Sequence, residues 1–319
     1  MVSIKHTAEG PSRATCDSIA EKIAASKLTP SSTQSAFSYT LIGADCVIQF
    51  RAQISALSLD VVQLARSIHG NLVPRVVNHG KLIVDSNTIM YQLERLPGEN
   101  IFSTLGAEIF AQALSNPQTV TPPTVVNTRQ SYEQRYKSLL VYCTDGLSHM
   151  FADEMPWTLT HGDLCDANLL VDRRNGELTG LVDWAEGSIL PFGLALWRLQ
   201  TLLGFLDDTT NCWVYYECWE HLEDLFWQTL KPCMSQLSPD QLKGIHMARM
   251  LGLLCRHGFK FTGAGEIAKD ESWDLKLLDG QIFSRFYGIN DATNEQGLAG
   301  TDVFAFSMIA QVVMHCFCP

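Results

Sequence analysis

The residues 159–184 read LTHGDLCDANLLVDRRNGELTGLVDW and hold the strongest structural signals of the chain. His161-Gly162-Asp163 follows an apolar run, and Asn168 comes five residues after Asp163. Asp183 comes fifteen residues after Asn168, at the end of a second apolar run. Chemically useful side chains therefore stand where the chain leaves buried elements, which is where binding and catalytic residues concentrate.

The same segment predicts a β-hairpin. Leu169-Leu170-Val171 and the run 178–182 are typical of short strands, and Arg-Arg-Asn-Gly at 173–176 is typical of a turn. An antiparallel pairing of these two runs would bring Asn168 and Asp183 together at the open end of the hairpin.

This arrangement suits phosphoryl transfer. The reaction needs one carboxylate to accept the proton of the attacking hydroxyl, and oxygen ligands that hold magnesium against a triphosphate. Asp163 fits the first task, and Asn168 and Asp183 fit the second. A His-x-Asp motif also occurs in metal hydrolases, but the remaining histidines are scattered singly along the chain.

The rest of the chain predicts two regions of different character. Residues 1–96 read as a β-rich lobe with strands at 37–42, 47–50, 82–84 and 88–93, a first helix at 16–27 and an inserted helix at 60–68. Residues 97–319 read as a larger, mainly helical lobe, with the connection near 92–97. Within it, Ser238-Pro239-Asp240-Gln241 is a helix start, and we predict a helix from there to His257. The fold class that follows is α+β.

Composition excludes several classes of function. A formal charge of −11 disfavours binding to nucleic acid or to an anionic membrane surface. No apolar stretch reaches the ~20 residues that span a bilayer, and the ten cysteines form no C-x-x-C pair. We expect a cytoplasmic protein with reduced thiols, and a last helix in the apolar segment 302–318. The oligomeric state stays open.

The segment 159–184 resembles the catalytic loop and metal-binding hairpin of the aminoglycoside phosphotransferase and choline kinase superfamily. That family has H-G-D-x-x-x-x-N followed by an Asp at a strand end. The resemblance runs roughly from Cys16 to Phe259 and extends to a subgroup of such proteins common in filamentous fungi. It includes the stretches 34–40, 47–51, 72–74, 91–98, 182–186 and 191–193. It implies a protein-kinase-like fold of two lobes.

The resemblance also implies a role for each matching residue. Asp163 would be the catalytic base, with His161 bracing its loop, and Asn168 and Asp183 would bind Mg²⁺. Residues 35–38, with Ser35 and Ser38, would form the turn over the ATP phosphates. The backbone at 92–94, with Gln92 and Glu94, would meet adenine. The implied substrates are ATP and a small molecule with a free hydroxyl.

Three positions depart from the family pattern. Gln49 stands where the family has a Lys or Arg that holds phosphates, and Arg51 lies on the same strand face. Arg51 either replaces that cation or is a surface arginine. Asp60 stands in for the Glu that pairs with the cation, and Gly193 stands where many members have an Asp that steadies the catalytic loop.

The change at Gln49 motivates a second hypothesis. The fold would then no longer transfer phosphate. It would act as a small-molecule binding module, or as an ATP-independent acid/base enzyme on a secondary metabolite that uses Asp163.

Overall fold

The computed structural model describes residues 11–32, 34–35, 37–101, 118–119, 137–152, 155–207, 212–215, 219–262 and 265–268. Side chains at 118–119, 138–140, 200–201, 205–207, 212–214, 257–262 and 265–268 are outside this description. The predicted helix in the segment 302–318 lies outside the described residues.

A five-stranded antiparallel sheet forms the first part of the chain, with the order β1-β2-β3-β5-β4. Its strands are β1 Thr29–Pro30, β2 Ser38–Ile42, β3 Cys46–Ala52, β4 Val76–Leu82 and β5 Asp85–Glu94. The predicted strands at 37–42, 47–50 and 88–93 are confirmed. The strand predicted at 82–84 is wrong, because residues 83 and 84 form the turn between β4 and β5.

The helix α1 (Arg13–Ala24) covers one face of this sheet, and Ser12 caps its first turn by accepting from the Thr15 N–H. Alternate strand residues, including Leu41, Ile48 and Phe50, pack with α1 in one apolar cluster. Because side chains alternate across a strand, Gln49 and Arg51 point to the opposite face.

The helix α2 (Leu59–His69) begins after Ser58, whose hydroxyl accepts from the Val61 N–H, and ends at Gly70, which has a positive φ. The inserted helix predicted at 60–68 is therefore confirmed. Val62 and Ala65 of α2 lie in the main core of the molecule, which otherwise consists of residues beyond position 70. Packing of α2 thus joins the sheet region to the helical region.

The second part of the chain combines short strand pairs with helices. The strands are β6 Glu99–Asn100, β7 Gln118–Thr119, β8 Trp157–Thr160, β9 Leu169–Val171, β10 Leu178–Leu181, β11 Ser188–Pro191, β12 Gly204–Asp207, β13 Cys212–Tyr215, β14 Phe259–Thr262 and β15 Gly265–Ala268. The helices are α3 Lys137–Asp145, α4 Leu147–Met150, α5 Arg198–Leu202, α6 Trp219–Leu230 and α7 Pro239–Gly258. An antiparallel sheet followed by a mainly helical region is the predicted α+β kinase-like fold.

The helix α7 has the predicted capping box. The Ser238 hydroxyl accepts from the Gln241 N–H at 3.2 Å, and the Gln241 amide oxygen accepts from the Ser238 N–H at 2.7 Å. Gly193 lies against the middle of this helix with φ +110°, and a Cβ there would stand 2.7 Å from the Ile245 carbonyl oxygen. A side chain at position 193 would therefore collide with the backbone of α7.

Two sequence expectations concern the protein as a whole. Within the described residues, no helix has the length and apolar character needed to cross a membrane. Cys16, Cys46, Cys143 and Cys165 are free thiols. Cys233 is disulfide-bonded, which differs from the expectation that all thiols are reduced.

Candidate active site

The hairpin of β9 and β10 positions two of the candidate residues. The strands pair antiparallel, with Leu181 opposite Leu169, and the Val182 N–H donates to the Asn168 carbonyl oxygen at 3.0 Å. Asn168 and Asp183 therefore lie at the same open end, as the spacing predicted. The apolar strand residues hold this end in place because Leu169, Val171 and Leu181 are all buried.

The side chain of Asn168 is bonded to the catalytic loop. Its Nδ2 donates to the Asp163 carbonyl oxygen at 2.7 Å and lies 3.3 Å from Asp163 Oδ2. Both donor contacts use the amide nitrogen, so the amide oxygen is directed away from Asp163. That oxygen is the atom a cation would need.

His161 links the loop to the hairpin. Its Nε2 lies 2.8 Å from the Val182 carbonyl oxygen, and its Nδ1 accepts from the Asp163 N–H at 3.3 Å. A carbonyl only accepts, so the proton sits on Nε2 and the ring is neutral. Burial lowers the pKa of His161 to about 4, which keeps the ring neutral at physiological pH. The ring also packs on Trp184, with centroids 4.6 Å apart.

Two backbone features hold the loop and the hairpin end in close contact. Gly162 has φ +75°, and a Cβ there would lie 2.2 Å from the Glu186 carbonyl oxygen. Asp183 has φ 65° and ψ 60°, a left-handed conformation that is uncommon outside glycine. Such strain persists where the surroundings fix it, and it concentrates at functional sites.

Arg51 reaches from the sheet to the end of the hairpin. Its Nη1 lies 2.9 Å from Asp183 Oδ1 and 3.2 Å from Gln49 Oε1, and its Nε donates to the Ser55 carbonyl oxygen at 2.8 Å. Arg51 is 2% exposed, so it is not a surface arginine. Arg51 therefore lies in the cleft beside Gln49, while its contact with phosphate stays a prediction.

A second group of arginines contacts Asp163 from the helical region. Arg198 in α5 donates through Nη2 to Asp163 Oδ1 at 2.7 Å and to the Gly162 carbonyl oxygen at 2.7 Å. Arg256 in α7 approaches the same Oδ1 at 3.4 Å and also lies 3.6 Å from Glu186 Oε2. Burial, followed by the charge of Asp163, raises the pKa of Glu186.

Sequence reasoning missed both of these arginines. Arg198 carries a local signal, since it is a lone cation in the apolar stretch 191–203 and a buried charge requires a partner. Its bond to Gly162 steadies the catalytic loop, which is the task expected of an Asp at position 193. Arg256 carries no comparable signal, because it reads as an ordinary cation near a helix end.

Asp60 is not brought to the site. It lies exposed in the first turn of α2, and the ion pair of Arg51 in the described part of the chain is with Asp183. The predicted pairing of Asp60 with a phosphate-holding cation is therefore wrong. An acid in the first turn suits the positive end of the helix dipole, which accounts for its presence there.

Gln92 also lies outside the cluster. It stands inside β5 between Ile48 of β3 and Val77 of β4, so its backbone groups are positioned for sheet partners. Its side-chain Oε1 accepts from His79 Nε2 at 3.0 Å, on the sheet face opposite Gln49. The prediction that its backbone meets adenine conflicts with this position.

Glu94 ends β5 and is bonded away from the cleft. Its N–H donates to the Arg75 carbonyl oxygen at 2.9 Å, and its carboxylate pairs with Arg66 at 3.2 Å. The Glu94 N–H is therefore already bonded to Arg75, and contact of the Glu94 backbone with adenine stays a prediction.

The turn before β2 is described in part, since residues 33 and 36 are outside the description. The Ser35 hydroxyl accepts from the Phe37 N–H at 3.1 Å. Ser38 is buried and stands opposite Arg51 in the β2–β3 pairing, so the two residues share the cleft face. Ser38 is thus placed with the site, while the contact of Ser35 with phosphate stays a prediction.

The donor set fits magnesium better than zinc. The described residues contain no group of three or more His, Cys, Asp and Glu side chains able to hold a metal. The free amide oxygen of Asn168 and the carboxylate of Asp183 are hard oxygen ligands. Magnesium characteristically binds one or two such groups, together with substrate phosphates.

The space between the sheet and the hairpin is small. It is lined by Gln49, Leu57, Val62, Pro74, Val76, Leu93, Asp183 and Trp184 and holds about 10 Å³. That is about the space for one water molecule. A larger cavity of about 90 Å³ lies against His161, Trp184 and Arg198. The lining of the smaller space is mostly apolar and suits a nucleotide base. A nucleotide could enter this space only if the sheet and the hairpin separated.

The model of the phosphotransferase enzyme family (APH) matches residues 55–210, slightly less than half of the chain. No curated protein matches the sequence. Solved structures with a similar fold include a thermostable mutant of aminoglycoside phosphotransferase APH(4)-Ia in ternary complex with AMP-PNP and hygromycin B. The mutant is 12% identical to this protein, and the match covers 76% of this chain and 89% of the mutant chain, with a TM-score of 0.44.

Two further solved structures with a similar fold are of bacterial proteins. Aminoglycoside phosphotransferase APH(3'')-Id from Streptomyces rimosus is 14% identical and covers 73% of this chain and 97% of its own, with a TM-score of 0.41. Choline kinase LicA from Streptococcus pneumoniae is 11% identical and covers 94% and 98%, with a TM-score of 0.37.

Proposed function

We propose that the protein transfers the γ-phosphate of ATP to a hydroxyl of a small molecule, because residues 55–210 match the model of the phosphotransferase enzyme family. The observation that carries this proposal is the convergence of Asp163, Asn168 and Asp183 through the hairpin and the His161 bonds. All three residues lie inside the matched segment.

Asp163 is the catalytic base in this proposal. Its carboxylate accepts the proton of the acceptor hydroxyl, the alcohol oxygen bonds to the γ-phosphorus, and ADP leaves. Arg198 and Asn168 hold the loop so that the carboxylate meets the hydroxyl, since positioning contributes most of the catalysis in phosphoryl transfer.

Asn168 and Asp183 would hold magnesium, which would neutralise phosphate charge. Arg51 replaces the family cation at the position of Gln49. Its guanidinium is buried beside Asp183 and fixed by Gln49 and by the Ser55 carbonyl oxygen. A fork of N–H donors held in this way is suited to phosphate oxygens.

The proposal is tested by transfer from γ-labelled ATP into a small-molecule cell extract, with and without magnesium. We expect label in organic phosphate that requires magnesium and disappears in Asp163→Asn. Asp172→Asn is a matched control, since Asp172 is held by Arg174 in the turn of the same hairpin. Transfer by Asp163→Asn at the wild-type rate would contradict the proposed base.

The second candidate is a chain that binds a small molecule but transfers no phosphate. The observation that favours it is the small interlobe space of about 10 Å³, together with the pairing of Asp183 to Arg51. In this case the output of the protein would survive removal of magnesium by EDTA, and the γ-label would stay on ATP. If Asp163→Ala then removes the output, the chain is an acid/base enzyme, and if it does not, the chain is a binding module.

A further inference from the structure

Three carboxylates and three arginines meet at the site. Arg51 pairs with Asp183, while Arg198 and Arg256 share Asp163, and Arg256 also reaches Glu186. This balance is unusual for a chain with a net charge of −11. Cations are concentrated here although the protein as a whole is acidic.

The arginines divide the site into two sides. Arg51 comes from β3 and contacts Asp183, which marks the nucleotide side. Arg198 and Arg256 come from α5 and α7 and contact Asp163, the base that must meet the acceptor hydroxyl. The cations beside Asp163 therefore belong to the acceptor side.

Arg198 and Arg256 differ in their freedom to rearrange. The Arg198 side chain is 6% exposed and stacks over Trp197 with its guanidinium 3.9 Å from the ring centre. The Arg256 side chain is 43% exposed, and its contacts are the longer ones, at 3.4 Å to Asp163 and 3.6 Å to Glu186. Arg256 can therefore turn from the carboxylates to an incoming ligand at little cost, because exposed pairs are weak.

The acceptor's own charge follows from this arrangement. An anionic group next to the reacting hydroxyl would bind Arg256 and release Asp163 Oδ1 from one of its two arginines, which leaves the base freer to accept a proton. A cationic acceptor would have to stand beside two guanidinium groups. Complementary charge gives specificity by penalising the wrong partner.

We infer that the acceptor carries a negatively charged group, a carboxylate or a phosphate, close to the hydroxyl that is phosphorylated, and that Arg256 binds this group. The inference rests on the proposed phosphotransferase function and names the substrate class of the same site. Arg256 is then the specificity-determining residue on the acceptor side.

The test uses four probes that share a small hydroxylated skeleton and differ in charge: glycerol, glycerate, glycerol 3-phosphate and choline. Each is titrated into the full chain with saturating Mg·AMP-PNP at constant ionic strength, and the thermal midpoint gives an apparent Kd. Arg256→Gln removes the charge, Arg256→Lys keeps it, and Arg174→Gln is the control at an arginine that is 87% exposed in a distant turn.

We expect glycerate, glycerol 3-phosphate or both to stabilise the wild type and Arg174→Gln, and to bind at least ten-fold more weakly to Arg256→Gln. Arg256→Lys should recover part of the affinity. Binding of glycerate would indicate a carboxylate on the acceptor, and binding of glycerol 3-phosphate would indicate a phosphate. Choline should give no shift.

Stabilisation by choline or glycerol equal to that by the anions would overturn the inference, and so would anion binding that is unchanged in Arg256→Gln or absent from the wild type. A loss of AMP-PNP affinity in Arg256→Gln with unchanged ADP affinity would assign Arg256 to the γ-phosphate instead. Failure of the proposed function is read separately, as the absence of any shift with Mg·AMP-PNP alone.

Discussion

The two carboxylates of the candidate site are held in different ways. Asp183 pairs with one arginine from the sheet, and that arginine is 2% exposed and makes two further bonds. Asp163 pairs with two arginines from helices, one buried and one 43% exposed. The proposed nucleotide side is thus a buried cluster with several bonds, whereas the proposed acceptor side contains a cation free to exchange partners.

This difference separates affinity from selectivity. A buried and over-determined cation contributes binding energy that is the same for every acceptor. An exposed cation with long contacts contributes little until a ligand engages it, so it discriminates among acceptors. Variants on the two sides should therefore change different measured quantities.

The largest effect is expected on the acceptor side at Asp163. Asp163→Asn removes the base, and loss of general-base catalysis lowers the transfer rate by about 10²- to 10⁴-fold. The Kd of Mg·AMP-PNP should stay within about three-fold because Asp163 contacts no residue from the sheet in the described structure. Single-turnover transfer and calorimetry measure the two quantities, and a parallel loss of both would break the division into two sides.

A second large effect is expected where α7, the helix that carries Arg256, packs against the segment that contains Gly193. Gly193→Asp, which introduces the residue of many family members, meets the Ile245 carbonyl oxygen at 2.7 Å and requires φ +110°. We expect urea unfolding to show a loss of about 2–4 kcal/mol. Gly80→Ala is the control, because Gly80 has φ +83° but nothing within 4 Å, so it should show strain alone, about 1 kcal/mol. Equal losses of unfolding free energy in the two variants would mean that the contact with α7 adds nothing to the cost of the substitution at Gly193.

His161 joins the two sides, and its stability contribution should depend on pH. The pKa of His161 is lowered by burial to about 4, below the unfolded value of 6.5. Between these values the unfolded chain binds a proton that the folded chain excludes, so stability is full above pH 6.5 and falls as pH drops towards 4. The total is about 3 kcal/mol. Urea unfolding from pH 7.5 to 4 should show this slope in wild type and in His79→Asn, an exposed-histidine control. The slope of stability against pH should be smaller in His161→Asn. An unchanged slope in this variant would show that His161 does not cause the pH dependence.

On the nucleotide side, Arg51→Met should weaken Mg·AMP-PNP binding by about 10- to 100-fold. A hydrogen bond to a charged group contributes about 1.5–3 kcal/mol, and Met removes the donors while keeping the buried stem. Arg51→Lys should recover part of the affinity. The sign of the change is decisive, since tighter binding by Arg51→Met would mean that the arginine blocks Asp183 rather than holding phosphate.

The smallest effect is expected at Gln92, on the far face of the sheet. Gln92→Ala should leave the Kd of Mg·AMP-PNP within two-fold, because its side chain contacts His79 and its backbone lies between two strands. A larger loss, measured by calorimetry, would mean that the side chain of Gln92 influences nucleotide binding from the far face of the sheet.

The hairpin and the convergence of the candidate residues were predictable because their signals are local. Asp163, Asn168 and Asp183 lie within 21 positions, and a hairpin with an obvious turn sets their register. The glycine of the H-G-D motif has a local reason as well, since it passes within contact of the Glu186 backbone.

The parts that were missed depend on pairings across long distances in the chain. Arg198 and Arg256 meet Asp163 over separations of 35 and 93 residues, which no spacing rule reveals. Asp60 was predicted from its place in the family pattern, nine positions from Arg51, whereas the partner of Arg51 in the structure lies 132 residues away. For Gln92, the strand was predicted correctly but its place between two partners was not, and that place decides whether its backbone is free.

The most direct test of the account is the binding of Mg·AMP-PNP, followed by calorimetry on the wild type, Asp183→Asn and the hairpin control Asp172→Asn. The account predicts saturable binding that needs magnesium, is equal in wild type and Asp172→Asn, and is at least ten-fold weaker in Asp183→Asn. No heat of binding from the wild type at millimolar nucleotide, or equal affinity in Asp183→Asn, would contradict it.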